Sequence, residues 1–375
     1  MIYLDHGATS FPKPASVLRA VGRGMEMLGN PGRGGYPAAM AAAQTIYRCR
    51  ETAGTLFDCE PEQVVLTANC TQGLNMAVRT LVGPGDRVVV SGFEHNAVTR
   101  PLHLLGAEII VAGRNLFDWE DTLNEWEWAL AQKPTAAVFT HVSNVFGYIL
   151  PVEQLAALCR ERGVPFIIDA AQSAGVLELS LRTTGADFIA MPGHKGLLGP
   201  MGTGLLLCGR TPAVWLAGGT GSDSIRQEMP EFLPDRAEAG TANVSGAAGL
   251  LAGMQEVRKQ GMAAIAHREA EEAARCARGL EKMGLKVYSG PHQAGTVSFL
   301  PHGDCEEMAR QLSRRGIAVR AGLHCAPLAH ESAGTLQTGT VRISFGHDAS
   351  ALQTGNLMTE LEKYRDFSEI TRNEI

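Results

Sequence analysis

Between residues 64 and 209, short apolar runs alternate with longer stretches in which apolar residues recur at helical spacing. The runs read VVLTA, RVVVSG, EIIVAG, AAVFTHVSN, PFIIDAAQ, DFIAMPG and GTGLLLCG. Such continuous runs belong to strands covered on both faces, and strands of that kind joined by crossover segments make a largely parallel sheet. The pattern predicts an α/β domain. Ligands of such sheets sit beyond the carboxyl ends of the strands, so the polar residues after each run are the ones to inspect for chemistry.

The rhythm changes further on. A helix-rich stretch over about 244–284 is followed by a strand in AGTVSFLPH, a helix in CEEMARQLSRRG, strands in IAVRAG and TVRISFG, and a closing helix in ALQTGNLMTELEKY. This predicts a smaller α/β domain. Residues 1–15, with Phe11-Pro12-Lys13-Pro14, read as an extended arm that packs on the first helix. The expected division is a large domain over 16–245 and a small one made of 1–15 and 246–375.

A chain of 375 residues has room for both units. Apolar residues at 45% and charged residues at 19% are ordinary for a globular protein, which excludes a fibrous or disordered class. The net charge of −6, without a run of Lys or Arg, argues against nucleic acid or anionic lipid as partner. No apolar run approaches the roughly 18 residues of a membrane span, and the opening Met1-Ile2-Tyr3-Leu4-Asp5-His6 is not an export signal, so a cytoplasmic protein is expected. Eight cysteines are scattered at 49, 59, 70, 159, 208, 276, 305 and 325 without a CxxC pair. That distribution predicts neither a disulfide framework nor a metal site, and fits a reducing compartment. Seven of them read as small buried hydrophobes; Cys325 is treated separately below.

Four segments carry candidate chemistry. Pro192-Gly193-His194-Lys195-Gly196 puts a lysine in a glycine-rich turn after an apolar run, where its amine can reach a cleft; a solvated surface lysine is the ordinary alternative. Asp169 ends another run, with Gln172 three residues on. Helix capping would explain an acid there. So would a pyridine ring, which draws electrons while its nitrogen is protonated and a buried carboxylate favours that form; Gln172 would then donate to the ring's phenolic oxygen. Thr71, Gln72 and Gly73 stand at the apparent start of a helix, whose free N–H groups suit a phosphate as well as a simple Thr cap. His95 follows the run RVVVSG, where an imidazole can stack on a flat cofactor, serve the substrate's protons, or be a structural histidine.

Taken in order, TQGLN, EHNAV, HVSNVFG, IDAAQ, GHKG, GTAN and RAGLHC resemble class V aminotransferases of the pyridoxal-5′-phosphate (PLP) fold type I, specifically the cysteine desulfurase and selenocysteine lyase family. The resemblance runs from YLDHGATSFPKP to TVRISFG. It implies a Schiff base on Lys195, a ring stacked under His95, Asp169 on the pyridinium nitrogen and Gln172 on the phenolic oxygen. It further implies phosphate contacts from Thr71 and His194, and from Thr241 of a neighbouring subunit in a homodimer. Asn144 and Arg342 would hold the substrate carboxylate, the guanidinium fork meeting it bidentately. Strand alternation alone would turn Arg342 to solvent. Arg320 would position the cysteine loop.

Cys325 lies in RAGLHCAPLAHESAGTLQTG, which has no sustained apolar period and reads as a loop. An ordinary thiol, with a pKa of about 8.5, is mostly protonated at neutral pH, yet its thiolate is a strong nucleophile once positioned. With PLP as cofactor the expected reaction converts L-cysteine to L-alanine and leaves the sulfur as a persulfide on Cys325, for transfer to an acceptor protein. The same residues would serve a selenocysteine lyase or another C–S lyase; a PLP-binding scaffold for a sulfur-transfer partner is the non-enzymatic alternative. The chain departs from the family's usual pattern at His6-Gly7, at Tyr36 after Gly34-Gly35, and at Pro192, which removes a hydroxyl and a backbone N–H from the phosphate site.

Overall fold

The computed structural model describes residues 1–32, 34–222 and 224–372. The arm contributes β1 (Ile2–Tyr3) and is followed by α1 (Ala15–Met27) and α2 (Pro37–Phe57). The seven apolar runs become β2 (Val64–Thr67), β3 (Arg87–Ser91), β4 (Glu108–Ala112), β5 (Ala136–Thr140), β6 (Phe166–Asp169), β7 (Phe188–Pro192) and β8 (Gly204–Cys208). They form one sheet in the order β2-β8-β7-β6-β5-β3-β4. Neighbours are parallel except at β8, which runs antiparallel to both β2 and β7.

The lack of alternation in these runs has a direct cause: each strand feeds two cores. Val89, Phe139, Ile168, Ile189 and Leu207 pack on one face, while Val88, Val90, Val138, Ile167 and Leu206 pack on the other. All are fully buried, each contributing about 1.5–3 kcal/mol relative to an exposed side chain. Helices then start where polar caps follow the strands. Asn69 accepts from the Gln72 N–H at 2.9 Å and starts α3 (Cys70–Leu81). The Nδ1 atom of His95 accepts from the Ala97 N–H at 3.0 Å and starts α4 (Asn96–Leu104).

The helix-rich stretch is two helices, Val244–Gln260 and Met262–Lys282, broken at Gly261, whose φ of 82° is left-handed and suits a residue without a Cβ. The first sends Leu250, Leu251 and Met254 into the core of the large sheet; the second sends Ala273, Cys276 and Leu280 against Val297, Phe299 and Ile343. Those residues belong to the smaller unit, with β9 (Lys286–Tyr288), β10 (Thr296–Leu300), β11 (Ile317–Ala318), β12 (Arg320–Gly322) and β13 (Thr340–Ser344). Its antiparallel sheet has the order β12-β13-β10-β9. The run IAVRAG therefore serves two sheets instead of one, because β11 pairs in parallel with β1 while β12 pairs with β13. The arm docks on the small unit through β11 and Leu4, which is fully buried there. No helix of the described residues is long and apolar enough to cross a membrane.

Candidate active site

A cleft of about 370 Å³ opens beyond the carboxyl ends of the parallel strands. Cys70 and Thr71 reach it after β2, His95 after β3, Asn144 after β5, Asp169 at the end of β6 with Gln172 after it, and His194 and Lys195 after β7. Gly7 and Ala8 of the arm, with Arg320, His324, Cys325 and Arg342 of the small unit, form its other wall. One expected contact stands elsewhere. Gln72 folds back so that its Oε1 accepts from the Ala68 N–H at 2.7 Å, and it lines a neighbouring pocket with Thr241. Tyr36 is exposed at the start of α2, outside this chain's own cleft.

On the large-domain side the electrostatics follow from burial. The side-chain amine of Lys195 makes no hydrogen bond among the described residues. Loss of water pushes its amine below the usual lysine range, Arg342 adds to the effect, and Asp169, Cys70 and Asp5 oppose it. Asp169, buried at 2% exposure, is raised by desolvation against the Ala171 N–H, Lys195 and Cys70. Its Oδ1 takes both described hydrogen bonds, from the Ala171 N–H at 2.8 Å and the Cys70 thiol at 3.5 Å, so Oδ2 is left for a ligand. His95 is held neutral, its pKa about 4, by burial first and then by Lys195, Arg100 and Arg342. With Nδ1 accepting, its proton belongs on Nε2. Gln172 donates from Nε2 to Gly7 O at 3.0 Å. The His194 carbonyl accepts from Lys13 Nζ at 2.7 Å and from the Ser10 N–H at 3.0 Å, which fastens the arm to the turn that carries Lys195.

The other wall centres on a tight turn. Both His324 (φ 50°) and Cys325 (φ 56°) are left-handed, a conformation that costs side-chain-bearing residues about 1–3 kcal/mol each and persists only when neighbours hold it. The neighbours are Asn144, whose Nδ2 donates to His324 O at 2.8 Å, and the Asn96 N–H, which donates to Cys325 O at 2.7 Å. Cys325 is exposed, while the other seven cysteines are buried and free. The loop expected here is shorter than its composition suggests: helix Pro327–Ala333 begins two residues later and buries His330.

Arg342 does not face solvent. Every residue of β13 is buried, and Arg342 itself is 2% exposed, because a carboxylate compensates its charge. Its Nη2 donates to Asp5 Oδ1 at 2.6 Å and its Nη1 to Asn144 O at 2.9 Å, whereas its Nε is buried without a partner. Asp5 also receives Arg320, through Nη2 at 2.9 Å and Nε at 3.1 Å to Oδ2. The backbone of Arg320 meets the cysteine turn, its carbonyl lying 3.3 Å from His324 Nε2.

Reading the chain residue by residue passes over Asp5, Cys70 and Glu94. Glu94 is fully buried, accepts from the Thr140 N–H at 2.7 Å and from the Ser91 hydroxyl, and so ties the end of β3 to the end of β5. Desolvation raises its pKa to about 8. Its signal was a lone acid between a strand end and a candidate histidine.

An unpartnered lysine amine, a buried acid with one oxygen open and the N-terminus of α3 together fit a group that joins an aldehyde, a basic ring nitrogen and a phosphate. The chain belongs to the class V aminotransferase family, whose pattern, "Aminotransferase class-V", matches residues 2–354. That family implies PLP. Within it the chain is 32% identical to a probable cysteine desulfurase of Methanothermobacter thermautotrophicus, over 92% of this chain and 89% of the relative. A probable cysteine desulfurase of Pyrococcus abyssi is likewise 32% identical, over 92% and 89%. The apo structure of a cysteine desulfurase from Thermococcus onnurineus superposes with a TM-score of 0.90 at 30% identity, covering 97% of this chain and 94% of that one.

Proposed function

We propose that the protein is a PLP-dependent cysteine desulfurase that converts L-cysteine to L-alanine and retains the sulfur as a persulfide on Cys325. The observation that carries this reading is the exposed thiol of Cys325, fixed on a braced turn at the rim of the same cleft as Lys195, Asp169 and His95. Lys195 would hold the cofactor covalently, Asp169 Oδ2 its ring nitrogen, and Thr71 with His194 its phosphate; His95 would serve its ring and Gln172 its phenolic oxygen. When bound, PLP supplies an electron sink at the substrate's α-carbon.

The chain's own residues supply the rest. Arg342, held on two sides and with its buried Nε unpartnered, takes the substrate carboxylate together with Asn144. Lys195, whose charged form is disfavoured by burial, moves the α-proton. The Cys325 thiolate attacks the substrate sulfur: the S–S bond forms, the C–S bond breaks, and the electron pair leaves with the carbon fragment, which takes a proton and departs as alanine. No outside oxidant is needed. The bracing of the turn by Asn144 and Asn96 keeps the thiol on the cleft side.

A cytoplasmic homodimer completes the proposal. Thr241 lies outside its own chain's cleft, as a residue that serves a partner's phosphate site would, and Leu18, Met25, Met27 and Met40 leave apolar surface on α1 and α2 for that partner to cover. The test is alanine formation by the PLP-loaded protein given L-cysteine and a thiol reductant. Steady release of alanine supports the reading; bound cofactor with no alanine refutes it.

A further inference from the structure

A second cavity, of about 40 Å³, adjoins Lys195. It shares Gly7, Val142, Gln172 and Lys195 with the cleft, whereas Cys325, His95 and Asp169 line the cleft alone. The polar groups on its wall include His6, Ser10, Gln172, Glu269 and His347. A buried water needs about 10–15 Å³ and at least about two polar partners, so a space of this size and lining holds water. Glu269, on the helix Met262–Lys282, is 8% exposed, and its carboxyl makes no hydrogen bond among the described residues. The packing is cut to fit it: a Cβ on Gly295 would stand 2.6 Å from Cβ of Glu269 and 2.9 Å from its Oε2. Burial raises this carboxyl to about 8, with Arg268 opposing and Asp348 adding to the shift. The guanidinium of Arg268 is engaged elsewhere, its Nη2 donating to Gln260 Oε1 at 2.9 Å and to His347 O at 3.0 Å. A protonated acid without a partner thus shares a cavity with the lysine that the proposed reaction loads with a proton. His6 extends the line toward the surface. Its Nδ1 is buried without a partner, and its Nε2 lies 3.5 Å from Oδ1 of Asp348, whose side chain is exposed. Only a glycine at 346 leaves room for that ring, which a Cβ there would overlap. Burial keeps the imidazole neutral, helped by His347 and opposed by Asp348 and Asp5, so it can accept at one nitrogen and release from the other.

We propose that Glu269 and His6 form a proton relay that connects Lys195 to solvent through this cavity while substrate fills the cleft. The inference rests on the proposed function for the α-proton that Lys195 takes. When the amine takes that proton, the electron pair of the C–H bond stays with the carbon, and the ammonium passes a proton to cavity water. The neutral carboxyl accepts at one oxygen and releases from the other, and the neutral imidazole does the same between its two nitrogens. Each group ends as it began, and one proton leaves to solvent; the reverse passage brings one back. Both are positioning residues for the proton: neither lines the cleft, and each acts through Lys195.

The test is washout of the α-hydrogen of L-alanine into ordinary water by the PLP-loaded protein, a reaction that needs Lys195 but neither sulfur nor Cys325. Deuterium and tritium at the α-carbon are compared. With a fast relay, breaking of the C–H bond limits washout, and deuterium leaves faster than tritium. Glu269→Gln has no acidic proton to pass on, so the captured hydrogen returns to carbon before it escapes. Washout should slow by roughly tenfold and lose its preference for deuterium. His6→Asn should have the same effect at roughly threefold. Unchanged washout in a folded, PLP-loaded Glu269→Gln protein overturns the proposal, as does slower washout that keeps the preference, which is what a structural effect on bond cleavage would give. If Glu269→Gln does not fold or load, unchanged washout in His6→Asn overturns it. In the apoprotein at about pH 6, the infrared difference between wild type and Glu269→Gln should contain the C=O stretch of a protonated carboxyl, and its absence overturns the relay. A wild type that makes no alanine from cysteine but washes out the α-hydrogen refutes the proposed function and leaves the relay standing; one that makes alanine but washes out none refutes the relay.

Discussion

Lys195 stands just beyond the end of β7 and Asp169 closes the adjacent buried strand β6, whereas Cys325 stands on a turn whose shape is imposed from outside it. The strand ends are set by the two cores on either side of the sheet, and Asp169 is further held by the Ala171 N–H two residues on and by the Cys70 thiol that follows β2 of the same sheet. The cysteine turn depends instead on Asn144 and Asn96, about 180 and 230 residues away in the chain. The difference separates two tasks. On the proposed function, cofactor fixation would rest on the sheet, and sulfur capture on contacts between segments far apart in the chain. Damage to the second should therefore spare the first.

The largest effect that would test this separation comes from its two poles. Lys195→Ala should abolish covalent attachment of PLP, seen as loss of its protein-bound absorbance, and cut alanine formation by at least about a thousandfold. Cys325→Ala should stop alanine formation from cysteine as completely while leaving the cofactor absorbance at the wild-type level; loss of cofactor from this variant would break the comparison. Asn144→Ala strips a brace from His324 O as well as the proposed substrate contact, and an unsatisfied buried carbonyl costs about 1–3 kcal/mol. Its turnover should fall by roughly tenfold or more with cofactor content unchanged, and alkylation of Cys325 should lose its uniform rate as the turn relaxes.

The smallest expected effect concerns the link between the strand ends. Glu94 has a folded pKa of about 8, raised by desolvation, against an ordinary 4.5. The folded protein thus binds the extra proton, so the contribution of Glu94 to stability is greatest below pH 4.5 and is lost as pH rises toward 8. Glu94→Gln cannot ionise. Its melting temperature relative to the wild type should climb by roughly 2–4 °C between pH 5 and pH 9, measured on the apoprotein. A difference that is flat with pH would mean that Glu94 is ionised in the folded state.

How much of this was visible in the chain follows the same division. The seven strands were legible because strands that feed two cores leave unbroken apolar runs, and Thr71, His95, Asn144, Asp169, Gln172 and Lys195 at their ends fall in one cleft as that rule requires, Gln72 being the exception. The reversed direction of β8 was not legible, since hydrophobicity carries no sense of direction. Nor was the burial of Arg342: its carboxylate partner stands 337 positions away, and only the pairing of β1 with β11 brings the arm within reach. The split of IAVRAG between two sheets has the same origin. Asp5 left a faint trace, a lone acid between apolar Tyr3-Leu4 and the small residues Gly7-Ala8, which matched the family's opening without revealing its partners.

The most direct test of the account is to treat the PLP-loaded protein with L-cysteine in the absence of reductant and locate any added sulfur by mass spectrometry of the intact chain and its peptides. The account predicts one sulfur atom on the Cys325 peptide, none on the peptides of the seven buried cysteines, and release of alanine in equal amount. Alanine formed without sulfur on Cys325, or sulfur found unchanged in Cys325→Ala, would contradict it.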